Sequence, residues 1–406
     1  MTEFIYRAFA SLSFAILCAA STPDVSGAPV MLGFERNVDQ RIVALVPSDT
    51  NEPPSMFITK TYLEQRKARV NPERSKSMTY AIRPIGGGDA TEIFTFRADD
   101  SSNIGSAGKV TDGYIVPVIL DGRSVHLYEF VPGRGAAERM EPPNQEPQRE
   151  NVSRAFALAT GYLEVSSIGD AVSASFRNYS GSAPVVVDFG SAAGRIIAVD
   201  DVLEGDGNIS VLVTSADGEH ALSVWIFRFD SQFTKSSRTD SRLMTGDFAS
   251  VKSRFVGATH ALPSVQITSR KSLREPFLVQ LIRLDAIQSL VKRFDFTTTE
   301  GGDKLAIAGI CKDMYVFARI IIPENAVATN IEYGIMDSGG AVKRTWSEEM
   351  VVGGSIVDVN LAPTVDAFVS LANFSKLEDS RRPDGWYSWL GYRLDRFDIT
   401  TDCASR

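Results

Sequence analysis

Cysteine and histidine are scarce, with three of each in 406 residues. His126, His220 and His260 stand far apart, and no CxxC or HExxH spacing occurs. A zinc centre of the usual tetrahedral kind is therefore excluded. Long apolar runs are missing beyond the first 20 residues. The best of them, Met314–Ile322, is interrupted by Arg319 and falls far short of the ~20 residues that a membrane helix needs. Basic residues are also in deficit: 42 Lys and Arg face 50 Asp and Glu, a net charge of −8. Nucleic-acid affinity rests on Lys and Arg neutralising phosphates, so nucleic acid is a poor partner. The nucleophile elbow G-x-S-x-G is absent. Gly86-Gly87-Gly88-Asp89 lacks the GK[ST] ending of a phosphate loop. Amphipathic helices are nearly absent too.

The N-terminus carries the one clear targeting pattern. Arg7 precedes the apolar run Ala8–Ala20, and Cys18-Ala19-Ala20 ends that run on small residues. This reads as an export signal over residues 1–20, with a periplasmic or extracellular destination. A buried N-terminal helix is the alternative. Cleavage would leave Cys311 and Cys403. In an oxidising compartment these either pair, pinning the chain end to the body, or stay two separate thiols.

What the chain has in abundance is short β-like runs. Arg41–Pro47, Tyr114–Leu120, Ile209–Thr214, Leu222–Phe229, Phe277–Leu284 and Met314–Ile321 are β-branched or aromatic and bounded by turn residues. There are on the order of 25 such runs. Arg195–Leu203, Ile209–Thr214, Leu222–Phe229 and a weaker Phe233–Thr239 follow each other closely, as in a four-stranded meander. Arg228-Phe229-Asp230, Arg283-Leu284-Asp285 and Arg393-Leu394-Asp395 repeat a strand ending at intervals of 55 and 110 residues. A period near 55 gives about seven repeats. Both faces of several runs are apolar. Val224 and Ile226 alternate with Trp225, Phe227 and Phe229, and Trp386, Leu390, Tyr392 and Leu394 alternate with Tyr387 and Trp389. A sheet buried on both faces fits blades stacked on blades.

The expectation is an all-β chain: one β-propeller of about six to eight four-stranded blades over residues 29–402, closed by pairing Phe397–Thr400 with Val30–Arg36. Two β-sandwich domains are the alternative. Lys60–Lys76, rich in basic residues, reads as a charged insert, and Met140–Asn151, with three prolines, as a loop between blades.

The most motif-like stretch is Val202–Ser210. It resembles the calcium loop of FG-GAP or VCBS propeller repeats, with Glu204, Asp206 and Asn208 in register as ligands and Gly205 and Gly207 matching. The resemblance covers one loop, and Val202 and Ser210 stand where the first and last ligands belong. It implies a calcium site; read from the residues alone, the stretch is a strand-connecting turn. Asp200, Asp201, Asp313 and Asp384 are the acids near strand ends that a glycosidase could use in pairs. Trp346, Trp386, Tyr387 and Trp389 are either a sugar platform or core. With no catalytic signature, the sequence favours an exported, non-catalytic binding or scaffold protein for a protein or glycan partner. A propeller-fold glycan hydrolase or lyase is the alternative.

Overall fold

Alternating apolar residues on both faces of a short strand leave no solvated face, so each sheet must be sandwiched between two others. A ring of sheets satisfies this for every member, and that is the arrangement found. The computed structural model describes residues 29–36, 40–46, 56–63, 77–85, 89–97, 102–138, 151–169, 171–205, 207–217, 221–256, 264–272, 275, 278–284, 290–297, 305–311, 314–321, 330–337, 340–350, 355–364, 367–377, 387–400 and 402.

The first strand, β1 (Val30–Arg36), stands apart from the next four in sequence. Sheet 1 is β2 (Gln40–Val46), β3 (Met56–Leu63), β4 (Ser77–Pro84) and β5 (Thr91–Arg97). Sheet 2 has two short inner pieces, β6 (Ser102–Ile104) and β7 (Gly108–Val110), then β8 (Gly113–Leu120), β9 (Ser124–Val131) and β10 (Gly135–Glu138). Sheet 3 is β11 (Asn151–Ala157), β12 (Gly161–Ile168), β13 (Ala171–Asn178) and β14 (Val185–Val186). Sheet 4 is β15 (Arg195–Gly205), β16 (Asn208–Asp217), β17 (Ala221–Asp230) and β18 (Thr239–Asp247). Sheet 5 is β19 (Ser250–Val256), β20 (Ser264–Arg270), β21 (Leu278–Leu284) and β22 (Leu290–Thr297). Sheet 6 is β23 (Leu305–Gly309), β24 (Met314–Ile321), β25 (Asn330–Asp337) and β26 (Val342–Glu349). Sheet 7 is β27 (Ser355–Pro363), β28 (Ala367–Leu377) and β29 (Tyr387–Asp398), completed by β1.

Within each sheet the strands are antiparallel and meander outward from a first, inner strand. Neighbouring inner strands touch, as β15 does β19, β19 does β23 and β23 does β27. Outer strands such as β26 alternate exposed and half-buried residues. The seven core clusters among the described residues make the same point, because each straddles two neighbouring sheets. Val224 and Ile226 pack towards sheet 5 with Val265 and Ile267, whereas Trp225, Phe227 and Phe229 pack towards sheet 3 with Phe156 and Phe176. The chain is thus a seven-bladed β-propeller, with its hydrophobic core divided among seven interfaces.

Closure comes from β1, which pairs with β29 from Val30↔Arg396 to Arg36↔Gly391. The closing partner of Val30–Arg36 is therefore Gly391–Arg396, earlier than the expected Phe397–Thr400. Phe397 and Asp398 instead pair with Phe368 and Ala367 on the other edge. Phe397 is buried in the interface between sheets 6 and 7, which fixes the register by burial. A second seam closes the ring between sheets 7 and 1. Asn373 on β28 is buried, accepts a hydrogen bond from the Ile42 N–H at 2.7 Å and donates one to the Ile42 carbonyl at 2.9 Å. At the junction of sheets 2 and 3 the backbones approach closely: a Cβ on Gly105 or Gly108 would lie 2.3 Å from the carbonyl oxygen of Ala155 or Ala157.

Three other boundaries differ from the sequence reading. Lys60 to Leu63 belong to β3, so the charged insert of 60–76 starts later; residues 64–76 lie outside the described residues. The fourth strand of sheet 4 is Thr239–Asp247, not Phe233–Thr239. Phe233 is instead a buried turn residue with φ 56° that plugs the core beside Phe176 and Phe229. The outer strand was hard to see because it is polar and solvated, the usual character of an edge. The proline-rich segment joins β10 of sheet 2 to β11 of sheet 3, with residues 139–150 outside the described set.

Candidate functional site

Sheet 5 breaks the rule that both faces are apolar. In the β19–β20 hairpin three cross-strand pairs are polar or charged: Ser250↔Arg270, Lys252↔Thr268 and Arg254↔Gln266. They share one face, because residues two apart along a strand lie on the same side. The opposite face of the same hairpin carries Val251, Phe255, Val265 and Ile267, packed against sheet 4. The polar rungs line a cavity of about 440 Å³, which Arg154 of sheet 3, Asp200 of sheet 4 and Leu305 of sheet 6 complete. Its walls come from the inner strands of four successive sheets together with β20, so the cavity lies on the axial side of the ring.

Part of this polarity ties sheets together. Arg254 donates through Nε and Nη2 to Gln266 Oε1, at 3.1 and 2.8 Å, and through Nη2 to the Leu305 carbonyl at 3.3 Å. Gln266 Nε2 reaches Thr268 Oγ1 at 3.3 Å. Arg154 Nη1 donates to the carbonyls of Asp200 at 2.6 Å and Val199 at 3.3 Å. Asp200 Oδ2 accepts from the hydroxyls of Thr214 and, at 2.8 Å, Ser253. Asp201 accepts from the N–H groups of Phe255 at 2.8 Å and Val202 at 2.9 Å. Asp200 and Asp201 are adjacent acids on β15, and both reach across to β19. A register shift between Val199 and Asp201 makes this possible, since the bulge re-aims consecutive side chains.

Burial dominates the electrostatics of both acids. It raises the Asp200 carboxyl above the usual range, against its two hydroxyl donors and the nearby Arg154. It pushes Asp201 up to about 6, against two backbone N–H bonds and the Arg254 charge, with Asp200 adding a smaller push in the same direction. Arg254 is lowered by burial and held up by the charges of Asp201 and Asp358. No carboxylate lies within ion-pair distance of Arg154, Lys252 or Arg254 among the described residues. These three cations therefore face the cavity with donors to spare: Arg154 Nε and Nη2, Arg254 Nη1, and the exposed Lys252 Nζ.

Glu204 and Asn208 flank a tight hairpin in which Gly205 pairs with Asn208 and Gly207 takes φ 74°; Asp206 lies outside the described residues. The Glu204 carboxylate accepts the Ala159 N–H of sheet 3 at 2.7 Å, and its pKa is raised by burial. That side chain links two sheets. Of the four acids, Asp200 lines the cavity, Asp201 beside it on β15 is turned to the Phe255 N–H instead, and Asp313 and Asp384 lie outside the described residues. Trp346 packs in the core, stacked on Tyr333 at 5.6 Å and beside Phe397. Trp386 and the side chains of Tyr387 and Trp389 lie outside the described residues. Cys311 is disulfide-bonded, and Cys403 lies outside them. The Arg-Φ-Asp motifs sit towards the ends of β17, β21 and β29, the third strands of sheets 4, 5 and 7. One and two sheets separate them, which accounts for the 55 and 110 spacings.

Sequence reasoning missed Arg154, Lys252, Arg254 and Arg270. The signal was available in Ser264-Val-Gln-Ile-Thr-Ser-Arg270, where Ser264, Gln266, Thr268 and Arg270 alternate as polar residues, unlike runs such as Val224–Phe229 that are apolar on both faces.

No family model and no curated protein sequence matches this chain. Similar solved structures include the WD40 domain of SCAP from fission yeast, with 9% identity over 92% of this chain and 98% of that one, at a TM-score of 0.48. Prolyl oligopeptidase B from Galerina marginata is 10% identical over 89% of this chain and 51% of its own, at 0.46. A neuraminidase-like protein of A/flat-faced bat/Peru is 12% identical over 71% and 85%, at 0.39. The architecture assigned above rests on strand pairing, not on these likenesses.

Proposed function

We propose that this propeller is an exported, non-catalytic binding protein that takes a polar ligand in the axial cavity lined mainly by sheet 5. The observation that carries this reading is the division of labour among the cavity's charged groups. Both nearby carboxylates are consumed in holding β15 to β19: Asp200 by two hydroxyls, Asp201 by two backbone N–H groups. A hydrolase needs one carboxyl free to donate a proton and a second poised across the cleft. The cations, in contrast, keep unused donors facing open volume. Fixed donors around a cavity of this size are what a ligand site requires.

Export follows from the arginine and apolar run of residues 1–20 and from a chain in which Cys311 is oxidised. Pairing of Cys311 with Cys403 belongs to the same proposal. The exported chain should begin near Ser21.

Native mass spectrometry of the mature chain, purified from its host, tests the binding reading. A small-molecule adduct is expected, and Thr268→Trp, which fills the cavity, should lose it. No adduct, an adduct that survives Thr268→Trp, or release of a cleaved product from it would contradict the proposal.

A further inference from the structure

The cavity's chemistry narrows its ligand. Three cations with spare donors, Arg154 and Lys252 exposed and Arg254 half-buried, converge on one cavity and point to negative charge, because guanidinium and ammonium groups form their strongest hydrogen bonds to an oxyanion. The rest of the lining is the Arg270 guanidinium, the Asp200 carboxyl already held by Thr214 and Ser253, the Gln266 amide already engaged by Arg254 and Thr268, and hydroxyl groups. The Ser250 and Thr268 hydroxyls can both donate and accept, and Leu305 is the single apolar contributor. A ligand matched to that wall carries several hydroxyl groups beside its charge. At about 440 Å³ the volume suits one or two small rings. The chain's net charge is −8, so this cluster of cations runs against the character of the whole molecule.

We infer that the axial cavity lined mainly by sheet 5 binds an acidic sugar, its carboxylate held by Arg154, Lys252 and Arg254 and its hydroxyls by Thr268 and Ser250. This rests on the reading of the cavity as a ligand site and names the ligand class. An acidic peptide fits less well, since no open strand edge or apolar subsite in the lining would hold a peptide backbone and its neighbouring side chains. Lys252 is the residue to change. It is exposed and makes no ion pair among the described residues, whereas Arg154 and Arg254 also hold neighbouring sheets together.

Isothermal titration calorimetry of the mature chain with four probes tests the inference: D-glucuronate, D-glucose, inorganic sulfate and a tetraglutamate peptide. Glucuronate should bind saturably, and raised salt should weaken it. Lys252→Gln should lower the affinity about tenfold, the loss of one charge-assisted contact. Lys252→Glu should lower it further, and Lys252→Arg should restore it. Glucose binding as tightly as glucuronate, sulfate doing so, or the peptide binding more tightly would each overturn the acidic-sugar assignment while leaving a ligand site in place. Glucuronate affinity unchanged in Lys252→Glu would overturn the placement. Silence from all four probes would overturn the ligand class; the adduct seen by mass spectrometry, present or absent, then says separately whether the cavity binds anything.

Discussion

Sheet 6 has two neighbours, and its two interfaces are built on different chemistry. Towards sheet 7 it presents Tyr333 and Trp346 to Phe368 and Phe397, with ring centroids 4.7 to 6.3 Å apart. The Tyr333 hydroxyl there donates to Ser370 Oγ at 2.8 Å. Towards sheet 5 the rings give way to a mixed cluster in which Val256, Val279 and Leu281 meet Leu305, Ile307 and Tyr315, and on the axial side Lys252, Arg254, Gln266 and Thr268 line a cavity. Both interfaces are packed, but sheet 5 also turns charged and polar rungs to the axis, groups that the apolar packing between sheets does not require.

The sharpest way to break the comparison is to damage the apolar side. Phe368 is fully buried at 0% exposure, and Phe368→Ala should cost about 3–5 kcal/mol, read as a lower midpoint in urea. A polar seam that serves closure should behave like the apolar side. Asn373→Ala strips the Ile42 N–H and carbonyl of their buried partner, at about 1–3 kcal/mol for each group left unmade. A negligible effect would mean the ring does not close through sheets 7 and 1 as described.

The acids beside the cavity give a pH signature. The folded-state pKa of Asp201 is about 6 and its ordinary value is 3.8. A raised carboxyl contributes stability that is complete below the ordinary value and lost as pH rises through the folded one. The gap between Asp201→Asn and wild type should therefore shift in the variant's favour between about pH 4 and pH 7, by at most about 3 kcal/mol. Urea unfolding across that range checks it, and a gap constant with pH would show that Asp201 is not held in a desolvated site.

Much of the architecture was legible because propellers write it into strand composition. Val224 to Phe229 showed both faces apolar, and the structure sends those faces into two different interfaces. The spacing of the Arg-Φ-Asp endings carried the repeat length, since they mark third strands. Polar outer strands were not legible: Thr239–Asp247 has the composition of a loop and is a strand only because β17 offers it an edge. The closing register was missed by a few residues because the burial of Phe397 decides it, and burial depends on sheets distant in sequence. The candidate site escaped for a related reason. Arg154 and Arg254 are 100 residues apart, and nothing local tells that the ring brings both to one cavity. The stretch that looked most like a site, Glu204 to Asn208, is a hairpin whose carboxylate reaches the next sheet.

Apolar clusters hold sheet 6 on both sides, while the axial cations of sheet 5 are left for a ligand. Thermal unfolding of Lys252→Gln, with and without glucuronate, tests it most directly. The account predicts a melting temperature equal to wild type without ligand, because an exposed lysine with no ion pair contributes within about 0.5 kcal/mol, together with loss of most of the ligand-induced rise. A fall without ligand comparable to that of Phe368→Ala, or a ligand-induced rise equal to wild type, would contradict it.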